Sequence, residues 1–234
     1  MAKFYCRIKN WIRKLTPNKN HHTRPLQNSL APESTIIAFD IHGVLFKKDY
    51  KKIARLMWHN KKDLSPLLLY TFNPFFIYDI FKLRYKKAIT EEYIIGLGTK
   101  YPRLTKLIPL GITLANAQKP ISQTISIVKN LKKRGYVLHV FSNIGKTIYA
   151  DLAKQFPEIL NTFDALITTT AKNNYKNKSH KDFFYSYISQ HTPKKQLILI
   201  DNTYSNIKQA HTLGIIGIRF TTPQALQKTL SRLL

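Results

Sequence analysis

Two acids close unbroken apolar runs in this chain: Asp40 ends TIIAFD and Asp201 ends LILID. A carboxylate in that position is either a turn or capping acid or part of a site, because ligands of open α/β sheets bind outside the carboxyl ends of the strands. Two further apolar runs end in polar residues. YVLHVF (136–141) leads into Ser142 and Asn143, and DALIT (164–168) leads into a segment holding Lys172, Lys176, Lys178 and Lys181. Asp40 is followed by Ile41, His42 and Gly43, and Asp201 by Asn202. Carboxylates can attack an electrophile or hold a cation, while hydroxyl, amide and ammonium groups can hold an anion. As plain structure the same residues would be turn acids, helix caps and a turn glycine.

Positioning these side chains together requires strands that run parallel. The runs at 35–40, 136–141, 164–168, 197–201 and 215–220 are apolar without alternation, which is the texture of strands buried on both faces. Helical patterns lie between them: Ile121, Ile125, Val128 and Leu131 precede Gly135, and Ile207, Ala210 and Leu213 precede Gly214, whose lack of a Cβ suits the position after a helix end. Alternating strands and helices predict a parallel sheet with right-handed crossovers, a Rossmann-like three-layer α/β/α core. Residues 34–46 and 117–234 form that core. Residues 47–116 break the alternation with aromatic, basic, helically periodic sequence, and are expected to be an inserted helical cap. Within the insertion Leu64–Phe81 is about as long as the shortest membrane spans. Pro66, Asn73, Pro74 and Asp79 interrupt it, so two short helices split at Asn73-Pro74 are expected.

In order along the chain, IIAFDIHGVL, VFSNIG, KSHKDFF and LILIDNTYSNIKQA resemble the four motifs of the haloacid dehalogenase-like (HAD) superfamily. Those motifs are a strand ending DxDGT/V, a strand ending in Ser or Thr, a lysine, and a strand ending in acids. The resemblance covers about 35 to 220. It implies that Asp40 is a covalent nucleophile and that Gly43 allows the tight path after it. Ser142 and Asn143, with N–H groups at the following helix start, would hold a phosphoryl group. Lys178, six residues before Phe184 as in the family's Lys-Pro-Asp-x-x-x-Phe pattern, is the expected motif-three lysine. A Mg²⁺ ion would be held by Asp40, the backbone carbonyl of His42, Asp201 and, through water, Asn202. Asn202 stands where a second acid is often found. His42 replaces the usual second aspartate of the first motif, and a histidine there can in principle both protonate a leaving group and activate water. The implied activity is that of a Mg²⁺-dependent phosphomonoester hydrolase on a phosphorylated small molecule, with the cap setting substrate choice. A metal-independent haloacid dehalogenase and a non-catalytic phosphate-binding or membrane-associated adaptor are the alternatives.

Composition frames this reading. Of 234 residues, 44% are hydrophobic, which excludes global disorder. A net charge of +26, from 38 Lys and Arg against 12 Asp and Glu, attracts polyanions without choosing among them. No helix-turn-helix, zinc-finger or RRM signature accompanies it, so no specific nucleic-acid motif is present. Residues 1–33 read as a leader and linker. Phe4, Ile8, Trp11, Ile12 and Leu15 share a helical face among basic residues, so 3–15 could meet an anionic membrane surface. The segment lacks the apolar core and cleavage site of a secretory signal. The adjacent His21 and His22 read as a solvated linker pair, and the lone Cys6 cannot form an internal disulfide, so the expected location is cytoplasmic, with a peripheral membrane contact possible.

Overall fold

The computed structural model describes residues 30–62, 70, 72–79, 91–168, 178, 180–191 and 195–234. Residues 1–29, half of Leu64–Phe81, and Lys172 and Lys176 lie outside the described residues.

Five parallel strands form the sheet: β1 (Thr35–Phe39), β4 (Val137–Phe141), β5 (Ala165–Ile167), β6 (Gln196–Asp201) and β7 (Ile216–Arg219), in spatial order β5-β4-β1-β6-β7. A two-stranded antiparallel ribbon lies beside it, made of β2 (Phe46–Lys48) and β3 (Gln118–Pro120). The helices are α1 (Tyr50–His59), α2 (Glu91–Lys100), α3 (Ile108–Ala115), α4 (Ser122–Lys133), α5 (Lys146–Gln155), α6 (Pro157–Leu160), α7 (Lys181–His191), α8 (Tyr204–Thr212) and α9 (Pro223–Leu233).

The strands are continuous apolar runs because both faces are covered. On one face Ile37 and Phe39 of β1 pack with Val128 and Leu131 of α4, Leu152 of α5, and Leu226 and Leu230 of α9. On the other, Ile36 and Ala38 pack with Phe183, Phe184 and Tyr187 of α7 and with Ile207 and Ala210 of α8. Burying one such side chain contributes about 1.5–3 kcal/mol. This double burial, rather than strand propensity, holds β1 in the centre. Thr222 starts α9 by accepting a hydrogen bond from the Ala225 N–H, with Pro223 at the first helical position.

Among its described residues the segment 47–116 contains the helices α1, α2 and α3, and the ribbon joins residues at its two ends. Phe46 pairs with Pro120 and Lys48 with Gln118, and the Asp49 N–H donates to the Ala117 carbonyl at 2.9 Å. Inside the insertion, residues 74–79 are helical, and a 3₁₀ segment spans Pro102–Leu107. Phe76, Tyr101, Leu104 and Leu107 form a small separate core flanked by Tyr70, Leu97 and Leu110. Among the described residues no helix is long and apolar enough to cross a membrane.

Candidate active site

Register alone brings the chemistry together. Phe39 pairs with Val140 of β4 on one side and with Ile200 of β6 on the other, so the next residues along each strand, Asp40, Phe141 and Asp201, emerge side by side at the carboxyl edge. The Asp40 N–H donates to the Ile200 carbonyl at 2.9 Å, which fixes the strand end from which its side chain leaves. Ser142 follows one residue later on the β4 side.

Lys178 ties the edge together. Its Nζ lies 2.8 Å from Asp40 Oδ1 and donates to Asp201 Oδ2 at 2.6 Å and to the Phe141 carbonyl at 3.0 Å, using all three ammonium hydrogens. The side chain is 1% exposed. Burial by itself would favour the neutral amine, but the two carboxylates outweigh it and the lysine pKa is raised. Asp201 is fully buried. Its pKa is raised first by that burial, Lys178 opposes the shift, and the nearby charge of Asp40 adds to it. Asp201 is also held by the Thr203 N–H on Oδ1 at 2.7 Å and by Asn206 Nδ2 on Oδ2 at 3.0 Å.

Two carboxylates against one ammonium leave a net negative charge in a dry place. Asp40 Oδ1 is engaged by Lys178 and by the Ile41 N–H at 2.8 Å, while Oδ2 accepts no hydrogen bond among the described residues. The donors are hard oxygens and the charge is uncompensated, so the residues fit a small divalent cation. Among the described residues no group of three or more His, Cys, Asp or Glu converges. A cation here would therefore rest on Asp40 and Asp201, with backbone carbonyl, Asn202, water and substrate oxygens completing its shell.

The remaining predicted residues surround this triad. Gly43 has φ +81°, and a Cβ there would lie 2.2 Å from Asn202 Nδ2, so the loop after β1 and the loop after β6 meet at this glycine. Ser142 is fully buried, and its Oγ has no hydrogen-bond partner among the described residues. A buried orphan hydroxyl beside a charged cluster is the kind of group a ligand oxygen satisfies. Asn143 accepts the backbone N–H of Lys178 on its Oδ1 at 2.9 Å, so it orients the lysine and leaves its amide Nδ2 to meet an anion. Of the two described lysines in the third segment, Lys178 is the one at the triad; Lys181 opens α7 and is exposed. Gly145, which precedes α5, provides no side-chain cap. The first N–H groups of α5 therefore lack a capping side chain at this same edge.

His42 is exposed, and its Nδ1 lies 2.8 Å from Gln118 Oε1. The Gln118 amide orientation is set independently, because its Nε2 donates to the Ala115 carbonyl at 3.0 Å. Oε1 can only accept, so Nδ1 carries the proton and Nε2 of the neutral ring is left as the acceptor. Gln118 and Asn206 are the two residues that sequence reading did not single out. Asn206 sits five residues after Asp201, one helical turn into α8, a spacing that places it back over the strand end. Gln118 carried no comparable signal.

No family model and no curated protein matches the chain. Solved structures do. A predicted HAD-like family hydrolase from Porphyromonas gingivalis aligns with a TM-score of 0.56 at 18% identity, over 86% of this chain and 98% of that one. A Bacillus subtilis protein assigned as a HAD hydrolase and bound to magnesium aligns at 0.55 and 11% identity, over 80% and 89%. L-2-haloacid dehalogenase from Xanthobacter autotrophicus, with chloropropionic acid covalently bound, aligns at 0.54 and 16% identity, over 85% and 83%. What these structures share with this one at such identities is architecture, and the chain has the haloacid dehalogenase-like fold.

Proposed function

We propose that the protein is a hydrolase of phosphate monoesters that works through a covalent phospho-aspartate on Asp40. The observation that carries this reading is the single buried ammonium of Lys178 bridging the strand-end carboxylates Asp40 and Asp201. It holds two acids at one point while leaving Asp40 Oδ2 available.

In this reading Asp40 Oδ2 attacks phosphorus, an O–P bond forms to Asp40, and the ester P–O bond breaks. His42 enters this step with both ring nitrogens protonated, and its Nε2 gives its proton to the departing alkoxide, which leaves the ring neutral with Nε2 as an acceptor. The ring, held by Gln118 with Nδ1 protonated, then takes a proton from water as that water attacks phosphorus, which releases phosphate and restores the Asp40 carboxylate. Ser142 Oγ, Asn143 Nδ2 and the first N–H groups of α5 hold the phosphoryl oxygens. Lys178 balances the carboxylate charge throughout. A Mg²⁺ ion held by Asp40, Asp201, the His42 carbonyl and, through water, Asn202 would offset the repulsion between the nucleophile and a phosphate dianion.

The dehalogenase reading draws on the likeness to the Xanthobacter enzyme. Asp201, buried beside Asp40 and oriented by three donors, supplies a second carboxylate at the nucleophile, and a pair of carboxylates is better suited to a cation site. Purified protein assayed on an aryl phosphate with Mg²⁺, with chelator, and as Asp40→Asn tests the proposal. Metal-dependent turnover abolished in the variant supports it. Metal-free halide release from 2-haloacids would transfer the assignment to dehalogenation, and silence on both substrate panels would leave a phosphate-binding adaptor.

A further inference from the structure

Gln118 links the insertion to the imidazole of His42. Its Nε2 donates to the Ala115 carbonyl at 3.0 Å, and its Oε1 meets His42 Nδ1 at 2.8 Å. Ala115 is the last residue of α3, where the final carbonyls have no partner within a helix. The Asn116 N–H donates to the Ile112 carbonyl and the Ala117 N–H to that of Leu114, while the Asp49 N–H holds the Ala117 carbonyl at 2.9 Å. The path from α3 into β3 is therefore tied by hydrogen bonds from Ile112 to Gln118. α3 in turn leans on both cores: Leu110 packs against the small core of the insertion and Ile112 against that of the sheet.

A side-chain amide has two orientations of nearly the same shape, related by a half-turn about its last bond, and they exchange a donor for an acceptor. With Oε1 toward His42, Nδ1 must donate, and Nε2 of the neutral ring is an acceptor. With Nε2 toward His42, Nδ1 must accept, so the neutral ring carries its proton on Nε2 and has no second acceptor. The Ala115 carbonyl decides between them because it can only accept. It takes the Nε2 hydrogen, whereas the reversed amide would set Oε1 against it, acceptor against acceptor, in a residue that is 4% exposed.

We infer that Gln118 is a positioning residue through which the last turn of α3 selects the tautomer of His42. For its catalytic meaning the inference rests on the proposed role of His42 as acid and base, since only the form with a bare Nε2 takes the proton of the attacking water. The coupling makes that step depend on the seating of α3, a helix of the insertion.

The test reads the ring nitrogens by ¹⁵N NMR of the substrate-free, full-length protein labelled at histidine, at alkaline pH with the imidazoles neutral. The His42 signals are those missing from His42→Asn. The parent is expected to show Nδ1 protonated and Nε2 bare. Thr113→Gly/Ala115→Gly, at two exposed positions of α3, weakens its last turn and should move His42 toward the Nε2-protonated form. Gln118→Glu presents an acceptor oxygen in either orientation, so it should hold Nδ1 protonated with or without the α3 substitutions. Gln118→Leu covers the case in which that buried carboxylate does not fold: both tautomers should then appear, in a ratio that the α3 substitutions no longer change. Thermal unfolding verifies that each variant folds. A parent protonated on Nε2 would overturn the inference. So would a folded α3 variant identical to the parent, or an equal shift by the α3 substitutions in the Gln118→Glu or Gln118→Leu background. Because no substrate is present, a protein inactive on phosphate esters leaves this readout intact, and a negative result here leaves the Asp40 assay to be decided separately.

Discussion

Lys178 does more than fill space, because among the described residues it is the cation that offsets the repulsion between Asp40 and Asp201. Replacing it with methionine keeps an unbranched side chain one atom shorter but leaves two buried carboxylates facing each other. Removing one partner of a buried charge cluster costs about 3–5 kcal/mol, and Lys178→Met is expected to lower thermal stability by that order. Mg²⁺ should raise the melting temperature of Lys178→Met more than that of the parent, because a cation then has more charge to compensate. Equal shifts in a thermal melt would argue against the two carboxylates forming a cation site. Gly43 presents the opposite kind of constraint, one of backbone rather than charge. At φ +81° an added Cβ strains the chain by about 1–2 kcal/mol, whereas the close approach to Asn202 can be relieved by moving an exposed side chain. Gly43→Ala should therefore lose roughly that much stability in a denaturant titration, and adding Asn202→Ala should recover little of it.

At the scale of elements, the sheet was legible because its strands are buried on both faces and read as unbroken apolar runs; Thr35–Phe39 and Gln196–Asp201 carry that signal most plainly. The convergence of Asp40, Lys178 and Asp201 followed from those runs and from the order of four motifs. The ribbon was not legible. Phe46-Lys47-Lys48 and Gln118-Lys119-Pro120 are three residues each, with no alternation long enough to separate strand from loop. Yet this ribbon sets Gln118 against His42, so the partner that fixes the imidazole tautomer was hidden along with it. Asn206 was hidden differently, since an asparagine in the first turns of a helix reads as surface until the strand end beneath it is known. A second element contact lies at the opposite end of β4. Asp164 accepts from Lys132 of α4 at 2.5 Å and from the Leu138 N–H at 2.9 Å, joining that helix to the sheet ahead of β5. Burial pushes its pKa up, but these donors outweigh burial and the folded value is lowered. A lowered folded pKa means that folding favours the carboxylate. The stabilisation is present above the unfolded value and lost as pH falls through the folded one. Asp164→Asn should therefore be less stable than the parent at neutral pH by no more than about 1 kcal/mol, since the pair is partly exposed. In urea melts the gap should close as pH drops below about 4. A gap that persists at low pH would show that the side chain matters for packing rather than charge.

Across the whole molecule the dominant quantity is a charge of +26 spread along the sequence, surrounding a site that is itself net negative. These two facts act at different ranges. Within the site, Asp40 and Asp201 repel a phosphate at contact distance, which Lys178 and a cation must offset. Outside it, the field of many ammonium and guanidinium groups draws an anionic substrate toward the protein and is screened by salt over a Debye length of about 8–10 Å. Raising ionic strength should therefore weaken capture without altering the bonds made and broken. If the protein turns over a phosphate monoester, kcat/KM is expected to fall several-fold between low salt and about 0.5 M NaCl, with kcat nearly unchanged. The distribution of charge makes a sharper claim. Lys47 and Lys48 are exposed on β2, a few residues from His42, and a local patch would act through them. Because the excess runs through the whole chain, Lys47→Gln/Lys48→Gln should leave most of the salt dependence in place. If that pair alone removes it, the field that delivers substrate is local to the ribbon, and the remaining basic surface serves contacts other than substrate capture.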